Sequence, residues 1–339
     1  MSKAQRQTPP GRRQPAIAIT LGDPAGIGPE VVLKALADEE VRSLCRPLVV
    51  GDLRVLEAVK AFAGVDPPLQ AVSRINEARF TLPAVEVLDL GNCDPPQVML
   101  GHISPLAGRA AVEAVERATE LALAGEVDAI VTAPLNKAAM QAAGYDYIGH
   151  TEILAELCHA PRVTTMLATG PLRVVHVTRH VPLAEVASLI TQERVLETIR
   201  LTHEGMQAWG MQRPRIGVAA LNPHGGESGL LGREEIEEIG PAVERARAEG
   251  VKAQGPIPAD SIFFRTIRGE FDAVVAMYHD QGHIPIKTHG FEASVTVTLG
   301  LPIVRTSVDH GTAFDIAGQG VADPTSMKEA IRLAVRLAD

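Results

Sequence analysis

Short apolar runs alternate with segments of helical periodicity along nearly the whole of this chain. Apolar runs of about four to eight residues, bounded by Gly, Pro or Asn, are typical of buried strands. Their alternation with amphipathic helices predicts a mostly parallel α/β sheet. The strand candidates are residues 16–20, 47–52, 85–91, 128–134, 163–170, 172–178, 215–221, 272–278 and 294–300. The helix candidates include residues 29–41, 108–125, 151–159 and 233–250.

Composition narrows the possible functions. Aromatic residues make up only 3% of the chain, so the core must consist mainly of Ala, Val, Leu and Ile, which suits helices packed on a parallel sheet. The formal net charge of -9 opposes binding to nucleic acid. No apolar stretch approaches the ~20 residues of a membrane span. We therefore expect neither a nucleic-acid nor a membrane partner.

The cysteines indicate the compartment. Cys45, Cys93 and Cys158 stand apart without CxxC spacing, and three cysteines cannot pair completely. Isolated cysteines of this kind are typical of a reducing compartment, so we expect a cytoplasmic protein.

Three of the apolar runs each lead to a histidine. LRVVHVTRHVP reaches His180, RIGVAALNPHGGE reaches His224, and FDAVVAMYHDQGH reaches His279. Open α/β sheets place their chemistry just past the carboxyl ends of strands. Three neutral imidazoles meeting there would form an open site for a divalent metal, with zinc as the first choice. The alternative is that they are separate histidines, each hydrogen-bonded or facing solvent.

Two loops are candidates for ligand binding. GDPAGIGPE, residues 22–30, has glycines that permit close backbone approach, although its spacing matches neither the dinucleotide fingerprint nor the P-loop. In GHTE, residues 149–152, Thr151 can cap the helix that follows, and the free amides of its first turn can bind an anion. His150 adds a donor, which favours phosphate over a plain helix cap.

Four charged residues complete the candidate list. Lys287 and Arg305 lie in segments otherwise poor in charge, where a surface cation is less expected than elsewhere. Asp260 and Asp280 could orient the histidines or be ordinary turn residues.

DHGTAFDIAGQGVADP, residues 309–324, resembles an element of the isocitrate and isopropylmalate dehydrogenases, and GDPAGIGPE resembles their opening motif. The resemblance implies two α/β/α lobes around a cleft and an NAD site without a Rossmann fingerprint. The residues that would line the adenosine are His310, Thr312, Ala313, Asp315 and Ile316. The charge of Asp315 would repel a 2′-phosphate, which favours NAD over NADP.

A closer resemblance is to the 4-hydroxythreonine-4-phosphate dehydrogenase family. It extends from about residue 16 to the end, through ITLGDPAGIGPE, TAPLNK, GHTE, LNPHGGE, GPIPAD, AMYHDQG and LGLPIVRTSVDHGTA. It implies a homodimer whose active site lies at the subunit interface. The metal ligands, from both subunits, would be His180, His224 and His279. The substrate-binding residues would be His150, Thr151, Lys287, Thr296 and Arg305. The residues that organise the site would be Lys287, Asp260 and Asp280.

The same resemblance implies a reaction. NAD would oxidise C3 of 4-phosphooxy-L-threonine, and decarboxylation would give 3-amino-2-oxopropyl phosphate, in pyridoxal phosphate biosynthesis. A divalent metal, zinc or alternatively magnesium or cobalt, would lower the pKa of the substrate hydroxyl. Lys287 is the first candidate for the general base, with His283 or a metal-bound hydroxide as alternatives.

One position departs from the family pattern and leaves the substrate open. Thr296 stands where the family has a substrate-contacting Asn, and a hydroxyl cannot make the two-ended hydrogen bonds of an amide. Dehydrogenases of 4-phosphothreonate or 4-phosphoerythronate, and of dihydrodiol dicarboxylates, share most of the motifs. His150 and Thr151 favour a phosphorylated substrate. A metal-dependent aldolase or a phosphate-sugar binding protein is the non-redox alternative, and neither needs the element around Asp315.

The domain organisation follows from the two-lobed expectation, since no internal repeat or linker marks a boundary. We expect a disordered tail at residues 1–15 and a first lobe at residues 16–140 plus 300–339. Residues 141–299 would form the second lobe, with the metal and dimer contacts.

Overall fold

The computed structural model describes residues 13–81 and 83–338. The predicted tail lies outside the described residues except for residues 13–15. Among the described residues, none of the helices combines the length and apolar character needed to cross a bilayer.

The strands of the described residues run in chain order. They are β1 (Ala16–Thr20), β2 (Arg46–Gly51), β3 (Leu69–Val72), β4 (Val85–Asp89), β5 (Ala129–Thr132), β6 (Thr164–Thr169), β7 (Leu172–His176), β8 (Arg215–Ala219), β9 (Lys252–Ile257), β10 (Ala273–Ala276), β11 (Val295–Leu299) and β12 (Arg305–Val308). All nine predicted strands form, and β3, β9 and β12 are additional.

The α-helices of the described residues alternate with these strands. They are α1 (Gly28–Ala37), α2 (Glu39–Arg42), α3 (Leu53–Ala63), α4 (Pro105–Leu123), α5 (Lys137–Ala142), α6 (His150–Leu157), α7 (Leu183–Leu189), α8 (Gln192–Ala208), α9 (Gly240–Ala248), α10 (Ala259–Ile267), α11 (His279–Gly290) and α12 (Thr325–Ala338). A π turn, Glu235–Ile239, leads directly into α9.

The described strands form one sheet in the order β3-β4-β2-β1-β5-β12-β11-β6-β7-β10-β8-β9. Neighbours pair in parallel from β3 to β12 and again from β7 to β9. Antiparallel pairing is confined to the centre, where β11 meets β12 and β6, and β6 meets β7. The prediction of a mostly parallel α/β sheet is confirmed, since eight of the eleven pairs among the described strands are parallel and three are antiparallel.

Helices cover both faces of the sheet, which explains why the strands are apolar throughout. In β1, Ile17 and Ile19 pack with the core residues of α1 and α12, whereas Ala16 and Ala18 pack with those of α4. A strand buried on both faces shows a continuous apolar run in place of an alternating one. Each fully buried Ile contributes about 1.5–3 kcal/mol to folding.

The glycine-rich loop after β1 is buried against the chain itself. A Cβ at Gly26 would lie 2.8 Å from the carbonyl oxygen of Thr312, and the Ile27 amide donates to that oxygen at 3.0 Å. The Ala25 carbonyl accepts from the Gly101 amide at 2.8 Å. The sequence predicted that the backbone of this loop is closely approached. At Gly26 the approaching group is the loop of residues 310–316 of the same chain.

Arg305 begins a strand that the sequence did not predict. The expected strand covers residues 294–300. In the structure that strand ends at Leu299, and Arg305 begins the separate strand β12. The reason is the turn at residues 300–304, where Gly300 has a φ of +87° and Pro302 follows.

Candidate functional site

Three neighbouring strands bring the predicted metal ligands to one edge of the sheet. β7, β10 and β8 are parallel neighbours, so their carboxyl ends lie side by side. His180 follows β7, His279 begins α11 after β10, and His224 lies in the loop after β8. We call these three loops the histidine edge.

Two of the three histidines face each other within one chain. The ring centroids of His180 and His279 are 5.7 Å apart. His279 Nδ1 lies 2.7 Å from Asp280 Oδ1, and a carboxylate at one ring nitrogen orients the other for ligation. Thr178 ties the loop to the neighbouring strand end, because its Oγ1 donates to the Met277 carbonyl at 2.8 Å.

His224 lies on an exposed and strained loop, Pro223–Gly229. His224, Glu227 and Ser228 have φ values of 52°, 43° and 59°, a region that costs non-glycine residues of order 1 kcal/mol or more each. The buried carboxylate of Glu235 anchors the start of the loop, since its Oε1 accepts from the Leu221 and Asn222 amides at 2.8 and 2.7 Å. Sequence reasoning missed Glu235.

A single chain does not bring the three ligands together. No group of three or more His, Cys, Asp or Glu side chains is arranged to hold a metal ion within residues 13–81 and 83–338. His180 and His279 form a pair, and His224 does not join them in such a group.

Two further histidines extend this pair into the protein. The His283 ring stacks on His279 with centroids 3.6 Å apart, and His176 lies 4.7 Å from His283. Burial lowers the pKa of His176 to about 3, so this ring is neutral. Sequence reasoning did not select His176, because a histidine inside an apolar run looks like a core residue.

The DQG residues after His279 explain how this stack is built. Gln281 is buried and donates to the Ala220 carbonyl at 2.7 Å, which joins α11 to the end of β8. A Cβ at Gly282 would lie 2.2 Å from His176 Nε2 and 2.6 Å from Val174 Cγ1. Only glycine at this position lets α11 lie so close to β7.

A cavity of about 460 Å³ lies on the central antiparallel strands. Thr165 and Leu167 of β6 alternate onto one face, and Thr296 of β11 pairs with Leu167 and shares that face. His180 and His283 line one side, and Thr151 of α6 lines another. We call this space the α6 cavity. It extends from His180 and His283 to the start of α6.

The first-turn amides of α6 are not capped by a side chain, and Thr151 is not the N-cap residue. The helix begins at His150, its N-cap is Gly149, and no side chain caps it, so the expectation for Thr151 was wrong by two positions. Free first-turn amides and the helix dipole favour an anion at such an end. His150 Nε2 is buried without a hydrogen-bond partner among the described residues.

Arg305 lies behind this helix start as a buried cation. Its side chain is 3% exposed, and its guanidinium donates to Thr132 Oγ1 and Thr298 Oγ1 at 2.6 and 2.9 Å. Within the described residues it forms no ion pair with a carboxylate. Burial lowers its pKa to about 9. Burial and the nearby Arg305 charge also lower the pKa of His150.

Lys287 is held at the cavity by a carboxylate that sequence reasoning missed. Its Nζ lies 2.6 Å from Asp309 Oδ2 and donates to Ser294 Oγ at 3.0 Å. Asp309 lines the α6 cavity and also accepts from Ser294 at 2.8 Å. Asp309 follows β12, which was not predicted as a strand.

Asp260 lies apart from these contacts. It is exposed in the first turn of α10, and no hydrogen bond from its side chain to another described residue is present. In a single chain it therefore does not orient a histidine.

The expected adenosine loop follows β12. Thr312 is buried and accepts from Asn136 Nδ2 at 3.4 Å, while Ala313 has a φ of 40°. Asp315 is exposed, whereas His310 and Ile316 are half-buried. The loop thus rests on its buried Thr312 and presents the Asp315 carboxylate outward.

Comparison with known proteins assigns the family. Residues 43–334 match the model of the pyridoxal phosphate biosynthetic protein PdxA. The chain belongs to the PdxA family. The chain is similar to a D-threonate 4-phosphate dehydrogenase from Cupriavidus necator, which is 50% identical over 325 residues that cover 96% of this chain and 97% of the relative.

Solved structures agree with this assignment. A 4-hydroxythreonine-4-phosphate dehydrogenase from Klebsiella pneumoniae is 43% identical and has a TM-score of 0.89, over 96% of this chain and 100% of that one. A terephthalate 1,2-cis-dihydrodiol dehydrogenase from Burkholderia xenovorans is 32% identical with a TM-score of 0.66, over 96% and 98%. The prediction of a PdxA-family dehydrogenase is confirmed, and this protein is an oxidoreductase.

Proposed function

We propose that this PdxA-family protein uses a divalent metal and NAD to oxidise C3 of 4-phosphooxy-L-threonine, with decarboxylation to 3-amino-2-oxopropyl phosphate in pyridoxal phosphate biosynthesis. One observation carries the proposal: the α6 cavity connects His180, whose ring faces His279, to the uncapped start of α6. A small substrate with a phosphate at one end fits such a space.

The donor set suits a divalent metal. Two imidazoles face each other, one of them oriented by Asp280, and His224 of a partner subunit would complete three nitrogen ligands. We propose zinc first, since three-histidine sites also accept cobalt and other ions. When bound, the metal polarises the substrate hydroxyl and stabilises the developing alkoxide.

The remaining roles fall to the chain's own residues. The first-turn amides of α6, with His150 and Thr151, would bind the phosphate, and the buried charge of Arg305 would support it from behind. Thr296 would contact the substrate from the cavity floor. Lys287, held by Asp309 and Ser294, is our candidate for the general base.

The loop after β12 would hold the adenosine half of the cofactor. His310, Thr312, Ala313 and Ile316 would line it, and the exposed carboxylate of Asp315 would bind the ribose hydroxyls. A carboxylate there disfavours the extra phosphate of NADP, so we propose NAD.

A homodimer would bring the third ligand into place. Three large apolar side chains near the histidine edge are strongly exposed: Leu183 at 72%, Leu230 at 82% and Ile284 at 62%. Apolar surface of this kind is typical of a protein interface. We propose a cytoplasmic homodimer, and sedimentation of a dimer whose dissociation releases zinc would support it.

D-threonate 4-phosphate is the second candidate substrate. Its C2 carries a hydroxyl, whereas C2 of 4-phosphooxy-L-threonine carries an amino group. Thr296 likewise has a hydroxyl at the position where the family has the amide of an Asn. The relative from Cupriavidus necator is named as a dehydrogenase of this compound.

A substrate panel tests the proposal. Zinc-loaded protein with NAD is mixed with 4-phosphooxy-L-threonine, D-threonate 4-phosphate or a dihydrodiol dicarboxylate, and NADH formation is followed. We expect NADH with a phosphorylated acid, and the larger kcat/KM identifies the substrate. Absence of NADH with both phosphorylated acids would overturn the proposed function, and NADH with the dihydrodiol dicarboxylate alone would assign that substrate in their place. Failure to bind NAD would overturn the proposed cofactor.

A further inference from the structure

Arg179 lines three cavities, two of which also contain His180. The α6 cavity and a second cavity of about 430 Å³, which also contains His279 and Asp280, have Arg179 and His180 in common. The guanidinium is anchored on the cavity floor, because its Nη1 donates to Thr165 Oγ1 at 3.0 Å. Arg179 is thus a fixed cation next to a proposed metal ligand.

The charge of Arg179 is not balanced by a neighbouring carboxylate. Among residues 13–81 and 83–338, no Asp or Glu oxygen lies within ion-pair distance of it. Two other cations lie near the α6 cavity. Lys287 is paired with Asp309, and Arg305, which also has no carboxylate partner among the described residues, is buried behind the start of α6. Arg179 lines the cavity itself and is therefore placed to meet an anion from outside the chain.

We propose that Arg179 binds the C1 carboxylate of the substrate. This rests on the proposed function, in which the phosphate occupies the start of α6 and the oxidised carbon lies at the imidazole pair. Arg179 directly precedes His180, so a carboxylate bound to it lies beside the carbon that is oxidised. The planar guanidinium matches a carboxylate with two parallel hydrogen bonds, which a lysine cannot reproduce.

The test measures binding of a charged ligand and its neutral counterpart. Zinc-loaded wild-type protein, Arg179→Gln and Arg179→Lys are titrated with D-threonate 4-phosphate and with its C1 carboxamide, by calorimetry. We expect the wild type to prefer the acid by about 10- to 100-fold, the range for a hydrogen bond to a charged group. Arg179→Gln should bind both ligands alike, and Arg179→Lys should keep part of the preference.

Arg213→Gln is the matched control, because Arg213 is an exposed arginine between α8 and β8 that lines none of the cavities in which Arg179 lies. It should keep the wild-type preference. Zinc content and melting temperature are measured for every variant, so that a lost metal or a misfolded protein is recognised.

The outcomes separate the two hypotheses. An Arg179→Gln protein that contains zinc and still prefers the acid would overturn the assignment of Arg179 alone. Equal weakening of both ligands would indicate a structural role and would also overturn it. Wild-type protein that forms no NADH with either phosphorylated acid would overturn the proposed function itself.

Discussion

The histidine edge and the glycine-rich loop carry the two motifs that most resemble ligand sites in the sequence, yet their surroundings differ. The glycine-rich loop is buried, and its amides and carbonyls are bonded to residues 101 and 312. The histidine edge is exposed and contains three non-glycine residues with positive φ. It lies beside Arg179, which has no carboxylate partner among the described residues. The presence of glycines or histidines in the sequence does not distinguish a structural loop from a ligand-binding site. Burial and hydrogen-bond partners do distinguish them.

This contrast predicts that substitutions at the histidine edge reduce activity, whereas those in the glycine-rich loop change stability. The largest effect is expected for His279→Ala, which removes one of the two facing imidazoles. Loss of a metal contact should lower kcat/KM by at least about 100-fold with little change in melting temperature. NADH formation, zinc content and thermal unfolding check this. His289→Ala, on the exposed part of the same helix, is the control and should behave as wild type.

The next effect is a pH dependence of stability in the glycine-rich loop. Asp23 is fully buried, and burial raises its pKa from 3.8 to about 6. Because the native state holds this proton more tightly than the unfolded state, its contribution to stability is present below about pH 4 and is lost as the pH rises to about 6.

Asp23→Asn cannot ionise, so its unfolding free energy relative to wild type should increase by about 2 to 3 kcal/mol between about pH 4 and pH 7. Urea unfolding at both pH values measures the change. Asp146→Asn, at an exposed position, is the control, and its unfolding free energy should change with pH as that of the wild type does. The same pH dependence in Asp23→Asn and wild type would contradict the prediction.

Gly282→Ala tests how closely α11 must approach β7. The added Cβ would overlap His176 and Val174, and such overpacking costs about 1–3 kcal/mol. It should also lower activity, because His176 contacts His283, which stacks on His279. In the double variant of Gly282→Ala with His176→Ala, the loss of unfolding free energy should be smaller than the sum of the two single losses. Strictly additive losses would show that the two residues do not interact.

The smallest effect is expected for Glu235→Gln. The amide that replaces Oε2 would face the Asn222 side-chain amide, so one hydrogen bond is lost beneath the His224 loop. We expect a loss of about 1 kcal/mol in stability and weaker zinc binding. Glu237→Gln, an exposed residue of the same π turn, is the control. Unchanged zinc affinity in Glu235→Gln would separate this carboxylate from the metal site.

Much of the fold was predictable because strands buried on both faces leave long apolar runs. The missed elements lack that signal. β9 contains Gly255 and Pro256, and β3 has only four residues; both lie at the ends of the sheet, where burial is incomplete. α11 contains Gly282 and Pro285, which argue against a helix until its packing on β7 is seen.

The candidate site was predictable where it depends on strand order and not where it depends on distant contacts. His180 and His279 are near each other because β7 and β10 are neighbours. Glu235 and Asp309 were missed because each acts through a contact with a residue more than ten positions away. No local pattern in the sequence records such a contact.

The floor of the α6 cavity comes from the middle of the sheet, where hydrogen bonds on both sides hold the backbone. Thr165, Leu167 and Thr296 project from this fixed support at set positions. Their side chains can be exchanged while the peptide path beneath them stays the same. A fold of this kind can acquire a new substrate by point replacement, without rebuilding a loop.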